Sequence, residues 1–218
     1  MITIILAAGN NKRFKGKHKG ALKARDGRSV LENIADDLGG NPLLLIAQRK
    51  HIRQLRKIEL SQPGSKRLTI HAWLQKPTLG PLDTLWQARE WIKALLKAQD
   101  NGDAPIVISY CDVLLERKYF YDFIGACEKH DAGIVIFESR NERFGDAFPG
   151  ISNRFKNSGV FYFRSGNQML AMLQYVAKGN EELGVPDLVN FTHEPKRFVC
   201  NEVIDIGIPE DYKRYING

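Results

Sequence analysis

Small neutral residues followed at once by a dense run of cations mark positions 6–28, LAAGNNKRFKGKHKGALKARDGR, as a place for phosphate chemistry. After the apolar run Ile2, Ile4, Ile5 and Leu6, the small side chains of Ala7, Ala8 and Gly9 let a ligand approach the backbone closely. Turn amides beside Arg13 and several lysines suit a polyphosphate. Between positions 12 and 28 stand eight Lys or Arg and one acid, Asp26; elsewhere 24 bases and 24 acids cancel, so the formal net charge of +7 belongs to this segment. Charge so localised is the footprint of a phosphate-binding loop and less that of a surface coating a nucleic acid. A cationic run by itself is also what a solvated loop looks like; joined to the LAAG turn it reads as a nucleoside triphosphate site.

Two carboxylates could serve such a site. Asp112 closes the apolar run Ile106-Val107-Ile108-Ser109-Tyr110-Cys111, and in open α/β sheets ligands lie beyond the carboxyl ends of the strands. A carboxylate there can hold Mg²⁺, a hard ion that takes one or two protein carboxylates and completes its octahedron with phosphate oxygens and water. It can equally cap a turn or a helix. Asp205 stands between Ile204 and Ile206, where a carboxylate is costly unless paired or metal-bound. Glu210 and Asp211, just after Pro209, suit the amino terminus of a helix. Gln75 and Gly80 lie in a loop that leads into a helical pattern, and Asn157-Ser158-Gly159 has the composition of a turn.

The elements that must position these residues alternate along the chain. Apolar residues at helical spacing predict helices over 30–38, 51–60, 82–95, 118–129 and 168–177, with another over 186–191 and a last one opened by Pro209. Short apolar runs predict strands over 2–6, 43–47, 68–73, 105–110, 133–137 and 160–163, with strand pieces over 198–200 and 202–206. Such alternation implies an α/β fold with a mainly parallel central sheet. Positions 138–158 show no clear period and read as an irregular polar insertion, the kind of segment that carries function.

At 218 residues the chain can bury one core, so a single domain over 1–218 is expected. Cys111, Cys127 and Cys200 form no CxxC pair and read as buried thiols in a reducing compartment. The opening apolar run is too short for a signal segment, and no apolar stretch reaches membrane-spanning length. A soluble cytoplasmic protein is the expectation.

The chain resembles the nucleotidyltransferases with a GT-A-like fold, a group that includes the sugar-phosphate nucleotidyltransferases and MobA-like NTP transferases. Their opening signature is LAAG, a Gly-x-Gly-x-Arg turn, then a Pro-Lys pair, an apolar pair and a Gly before a helix. Here LAAG is intact, Arg13 matches the arginine, and Gly27 with Val30-Leu31-Glu32 matches the helix entry. Asn11 replaces the second glycine, a tolerable exchange because Asn visits positive φ readily. The Pro-Lys pair appears as His18-Lys19, or as Lys19-Gly20 in the style of molybdopterin guanylyltransferases, leaving Lys19 and Lys23 both open for the catalytic lysine. Asp112 matches the family's metal aspartate, and 205–212, DIGIPEDY, resembles the closing DIGTPEDY motif whose first Asp completes the metal site.

The resemblance further implies a three-layer α/β/α sandwich. It implies Leu6, Ala7, Ala8, Gly9 and Asn11 at the nucleotide, with Gln75 and Gly80 at the nucleobase. It also implies Asn157 and Gly159 at the acceptor and Mg²⁺ on Asp112 and Asp205; Asp146 and Arg154, which match no family position, are further candidates for acceptor contact. The implied reaction transfers NMP from an NTP to a small phosphorylated acceptor, such as a sugar 1-phosphate or phosphocholine, with release of pyrophosphate, in a monomer or homodimer that binds neither nucleic acid nor membrane. Three other readings keep the fold. Within the same chemistry, Lys19-Gly20 followed by Ala21-Leu22 resembles the molybdopterin guanylyltransferases, and a phosphocholine cytidylyltransferase-like enzyme would take a non-sugar phosphate. A GT-A glycosyltransferase would carry an Asp-x-Asp motif where this chain has Tyr110-Cys111-Asp112. A non-catalytic nucleotide-binding module would be one altered at Asn11 and His18.

Overall fold

The computed structural model describes residues 1–39, 42–58, 68–139, 146–148, 152–176 and 183–218. In chain order its elements are β1 (Ile2–Ala7), α1 (Val30–Leu38), β2 (Leu43–Gln48), α2 (Ile52–Leu55), β3 (Thr69–Leu74), α3 (Pro81–Lys97), β4 (Ile106–Tyr110) and β5 (Val113–Leu114). Then come α4 (Arg117–Cys127), β6 (Ala132–Glu138), β7 (Asp146–Phe148), β8 (Ser152–Phe163), α5 (Gly166–Val176), α6 (Val185–Asn190), β9 (Lys196–Val199), β10 (Ile204–Asp205) and α7 (Pro209–Asn217).

The central sheet runs β3-β2-β1-β4-β8-β6-β9, with β7 alongside β8. Strands β3, β2, β1 and β4 are mutually parallel, as are β6 and β9, while β8 runs antiparallel to both its neighbours in the sheet. β1 and β2 are buried at every position, as expected of strands covered on both faces. Their side chains divide by alternation. Ile2, Ile4 and Leu6 join Leu44 and Ile46 in a layer with α3, α5 and α6; Ile5 and Ala7 join Leu43 and Leu45 in a layer with α1, α4 and Leu55 of α2. The expected three-layer α/β/α sandwich with a mainly parallel sheet is the fold observed.

Helix α1 starts where local chemistry says it should, with Ser29 and Glu32 forming a reciprocal capping box. It ends at Gly39, whose φ of 58° suits a residue without Cβ. Two expectations differ from the structure. The helix read over 51–60 shrinks to a 3-10 turn at Arg49–His51 and the four residues of α2, because His51 turns inward against the loop after β1; positions 59–60 lie outside the described residues. The segment read as irregular over 138–158 contains the last residue of β6, all of β7 and the first half of β8. Its alternation is broken by a register shift between Ile134 and Ile136 opposite Gly159, where φ is +88°. Positions 140–145 and 149–151 lie outside the described residues.

Candidate active site

β1 and β4 are neighbours and end together, with Cys111 N–H donating to the Leu6 carbonyl at 3.1 Å. Leu6, Ala7 and Ala8 are buried, and the chain first meets solvent at Gly9 and Asn10. Asn11 adopts a left-handed conformation, φ 52°, as its residue type permits. It is buried and acts as the staple of the loop: Nδ2 donates to the Gly9 carbonyl at 2.8 Å and Oδ1 accepts from the Lys19 amide at 3.2 Å. Arg13 is exposed in the 3-10 turn Lys12–Phe14.

His18 does for the loop what a rigid proline would do by other means. Its fully buried ring lies between the Ala7 carbonyl, 2.8 Å from Nε2, and the Gly20 N–H, 3.1 Å from Nδ1. Those partners require a neutral ring with the proton on Nε2. Burial pushes its pKa down to about 4, against the opposing pull of the Ala7 carbonyl. His51 stands edge-on, 4.8 Å away between ring centroids.

The residue after His18 is thereby aimed at β4. The Lys19 ammonium is paired with Asp112 Oδ2, and both side chains are largely buried. Burial pulls the Lys19 pKa down, but Asp112 beside it, with Cys111 and Asp205, leaves it above the ordinary lysine value. Lys23 is instead exposed, paired through its backbone with Ser29, its carbonyl accepting from the Tyr212 hydroxyl at 2.8 Å.

Asp205 reaches the same place by a separate route. β10 pairs antiparallel with β5, setting Asp205 opposite Val113, and the Ile206 amide donates to the Asp112 carbonyl at 2.9 Å. Asp205 Oδ1 accepts from the Gly207 amide at 2.6 Å. A Cβ on Gly207 would stand 2.8 Å from Asp205 Oδ1 and 3.4 Å from Asp112 Oδ2. Both carboxylates thus converge over a position that only glycine leaves open. Among the described residues no group of three or more His, Cys, Asp or Glu gathers; two carboxylates from separate strands are a donor set suited to Mg²⁺, which draws its other ligands from phosphate and water.

Basic residues after β2 extend the rim. Lys50 Nζ donates to Asn10 Oδ1 at 2.6 Å, and Arg49 Nη1 to Gln75 Oε1 at 3.1 Å. Sequence reasoning left these two cations between a strand read over 43–47 and a helix read over 51–60 and missed them; the signal was their position directly after a buried parallel strand. Gly80 precedes α3 in extended conformation, its carbonyl accepting from the Thr84 amide, and a Cβ there would meet nothing within 4 Å. The same open space surrounds Gly9. Across the sheet, Gly159 packs against Tyr110, whose ring would lie 2.5 Å from a Cβ there, so this glycine has a packing reason of its own. Asn157 is half-buried opposite Ile136, Arg154 pairs with Glu138 at 2.9 Å, and Asp146 lies in β7 opposite Lys156.

A family model for the MobA-like NTP transferase domain matches residues 3–183. No curated protein sequence matches the chain. Among solved structures, the nucleoside-diphosphate-sugar pyrophosphorylase from Vibrio cholerae RC9 aligns with a TM-score of 0.77 at 19% identity, covering 100% of both chains. The 4-diphosphocytidyl-2C-methyl-D-erythritol synthase from Anaerococcus prevotii aligns at 0.71 and 16%, covering 99% of this chain and 94% of that one. The inositol-1-phosphate CTP transferase from T. maritima gives 0.71 and 13%, covering 98% and 93%.

Proposed function

Because the chain belongs to the MobA-like NTP transferase family, and is a nucleotidyltransferase of that type, we propose that it transfers NMP from an NTP to a small phosphorylated acceptor such as a sugar 1-phosphate, releasing pyrophosphate. The observation that carries this reading is the convergence of Lys19, Asp112 and Asp205 at the carboxyl edge of β4, beneath the cationic loop. In the reaction an acceptor phosphate oxygen attacks the α-phosphorus in line, the bond to the β-phosphate oxygen breaks, and the electron pair leaves with pyrophosphate. A phosphate dianion is already a competent nucleophile, so the chain's work is positioning and charge neutralisation.

Arg13 and the loop amides at Gly9 and Asn11 hold the β- and γ-phosphates. Lys19, held charged by its acidic neighbours, balances the charge that builds at the α-phosphate. Asp112 and Asp205 would hold Mg²⁺, which when bound neutralises phosphate charge. Gln75 and the backbone at Gly80 meet the nucleobase, and Asn157 and Gly159 lie on the acceptor side. Residues 1–218 act as one domain, since β9 and β10 complete the sheet and ribbon begun by β6 and β5. Three buried free thiols support a reducing, cytoplasmic setting, and no helix among the described residues is long and apolar enough to cross a membrane.

The test is pyrophosphate release with Mg²⁺, each of the four common NTPs being offered with a pool of sugar 1-phosphates and phosphocholine. Release that requires one NTP and one acceptor is expected, with turnover abolished in Asp112→Ala and in Asp205→Ala. Lys19→Ala should lower kcat by about 100-fold or more, and Lys23→Ala only slightly. Near-full activity in both aspartate variants would sink the metal assignment.

A further inference from the structure

Gln48 ends β2 with a side chain only 4% exposed, and its amide nitrogen Nε2 has no hydrogen-bond partner among the described residues. A buried amide donor without an acceptor is costly, and folded proteins leave few of them. Strand alternation places it. Leu44 and Ile46 face the layer that holds α3, so Gln48, two residues on, faces that layer too. Its register partner in β3 is Leu74, and Ala8 at the end of β1 and Leu82 in the first turn of α3 belong to the same layer. The orphan donor therefore lies at the carboxyl edge of the sheet, the edge at which the chain leaves β1 through Gly9 and enters α3 through Gly80, two glycines at which an added Cβ would meet nothing within 4 Å.

We propose that Gln48 reads the nucleobase: Nε2 donates to a carbonyl oxygen of the bound base, the acceptor that the fold itself does not provide. The inference rests on the nucleotide reading above and adds a base preference to it. Gln75 has the same polarity, because its Oε1 accepts from Arg49 and its amide N–H groups are left to donate. Two carboxamide donors at this edge favour bases that carry a carbonyl oxygen. Guanine, uracil, thymine and cytosine have one; adenine does not.

The experiment is calorimetric titration of the whole chain with ATP, CTP, GTP and UTP, and with inorganic tripolyphosphate as a base-free probe. Wild type is expected to bind ATP weakest of the four. Gln48→Met, of similar shape but with no donor, should weaken the best NTP by about tenfold or more and narrow the spread among bases, while tripolyphosphate binding stays the same. Removing an orphan donor should leave the melting temperature unchanged or higher, and Gln48→Leu is a second variant with the same expected outcome. A folded variant that keeps wild-type affinity and discrimination, as it would if Nε2 served only a trapped water, overturns the proposal, and so does a wild type that prefers ATP. Failure of wild type to bind either NTPs or tripolyphosphate would overturn the phosphate-loop reading, and this inference with it.

Discussion

Acidification from pH 7 to pH 5 should weaken the folded state by about 2 kcal/mol through His18 alone. The buried ring donates to Ala7 and accepts from Gly20, so a second proton would turn Nδ1 from an acceptor into a donor facing an N–H. Its pKa falls from 6.5 to about 4 in the folded chain, burial being the main cause. The unfolded chain takes up this proton near 6.5 and the folded chain only near 4, so between those values the unfolded state binds more protons. Stability is then complete above the upper value and declines as pH falls through the window. Each pH unit of that gap is worth about 1.4 kcal/mol, so the whole window carries about 3 kcal/mol, of which about 2 is gone at pH 5. Burial lowers the pKa of His51 and His71 as well, and a difference measurement isolates His18. Urea unfolding of wild type and His18→Gln at pH 7, 6 and 5 would supply it. The variant should be weaker at pH 7, where it loses the ring's two hydrogen bonds, yet lose about 2 kcal/mol less than wild type on going to pH 5. Parallel losses in the two proteins would refute the argument.

Gly207→Ala should keep the fold and damage the site. A methyl group 2.8 Å from Asp205 Oδ1 must push that carboxylate away, and displacing a ligand's support typically costs about 10–100-fold in metal affinity or activity; the Mg²⁺ dependence of turnover reads the loss. Gly133→Ala should do the opposite, weakening the fold rather than the site. The new Cβ would stand 2.3 Å from Cys127 Sγ and 3.1 Å from Phe123 Cε2, two buried side chains of α4, and such overpacking costs about 1–3 kcal/mol. Gly125→Ala, in the same helix with nothing within 4 Å of the added Cβ, should instead stabilise by up to about 1 kcal/mol, and denaturant midpoints compare the two.

Runs buried on both faces carry their own signature, which is why β1, β2 and β4 were readable from residue type, and with them the place of Asp112 at a strand end. Asp205 between two isoleucines announced that it needed company; the structure supplies the Gly207 amide and brings Asp112 alongside. The choice between Lys19 and Lys23 was not readable, since both follow the same cationic turn and only the folded loop, pinned by Asn11 and His18, directs one of them at Asp112. Arg49 and Lys50 were hidden because a helical spacing of apolar residues after them masked a loop whose partners, Asn10 and Gln75, lie far off in sequence. Gln48 escaped notice because an amide at a strand end looks like the edge of an element. Its isolation is visible only once the surrounding donors and acceptors are known.

The antiparallel strand β8 belongs to two structures at once. Val160 to Phe163 are buried and pair with β4 and β6 as part of the floor. Residues 152–157 continue past the end of β4, held between β6 and β7, and rise beyond the edge where Asp112 stands. The hinge between the two portions is the bulge at Gly159, pressed against Tyr110. Exchange at Arg154, which is exposed, would therefore leave the core closed, whereas Phe155 packs against that core and Lys156 is buried; a change at Arg154 would cost the fold little. Natural or laboratory drift in specificity should accumulate there first, while the four residues below it stay tied to the packing of the sheet.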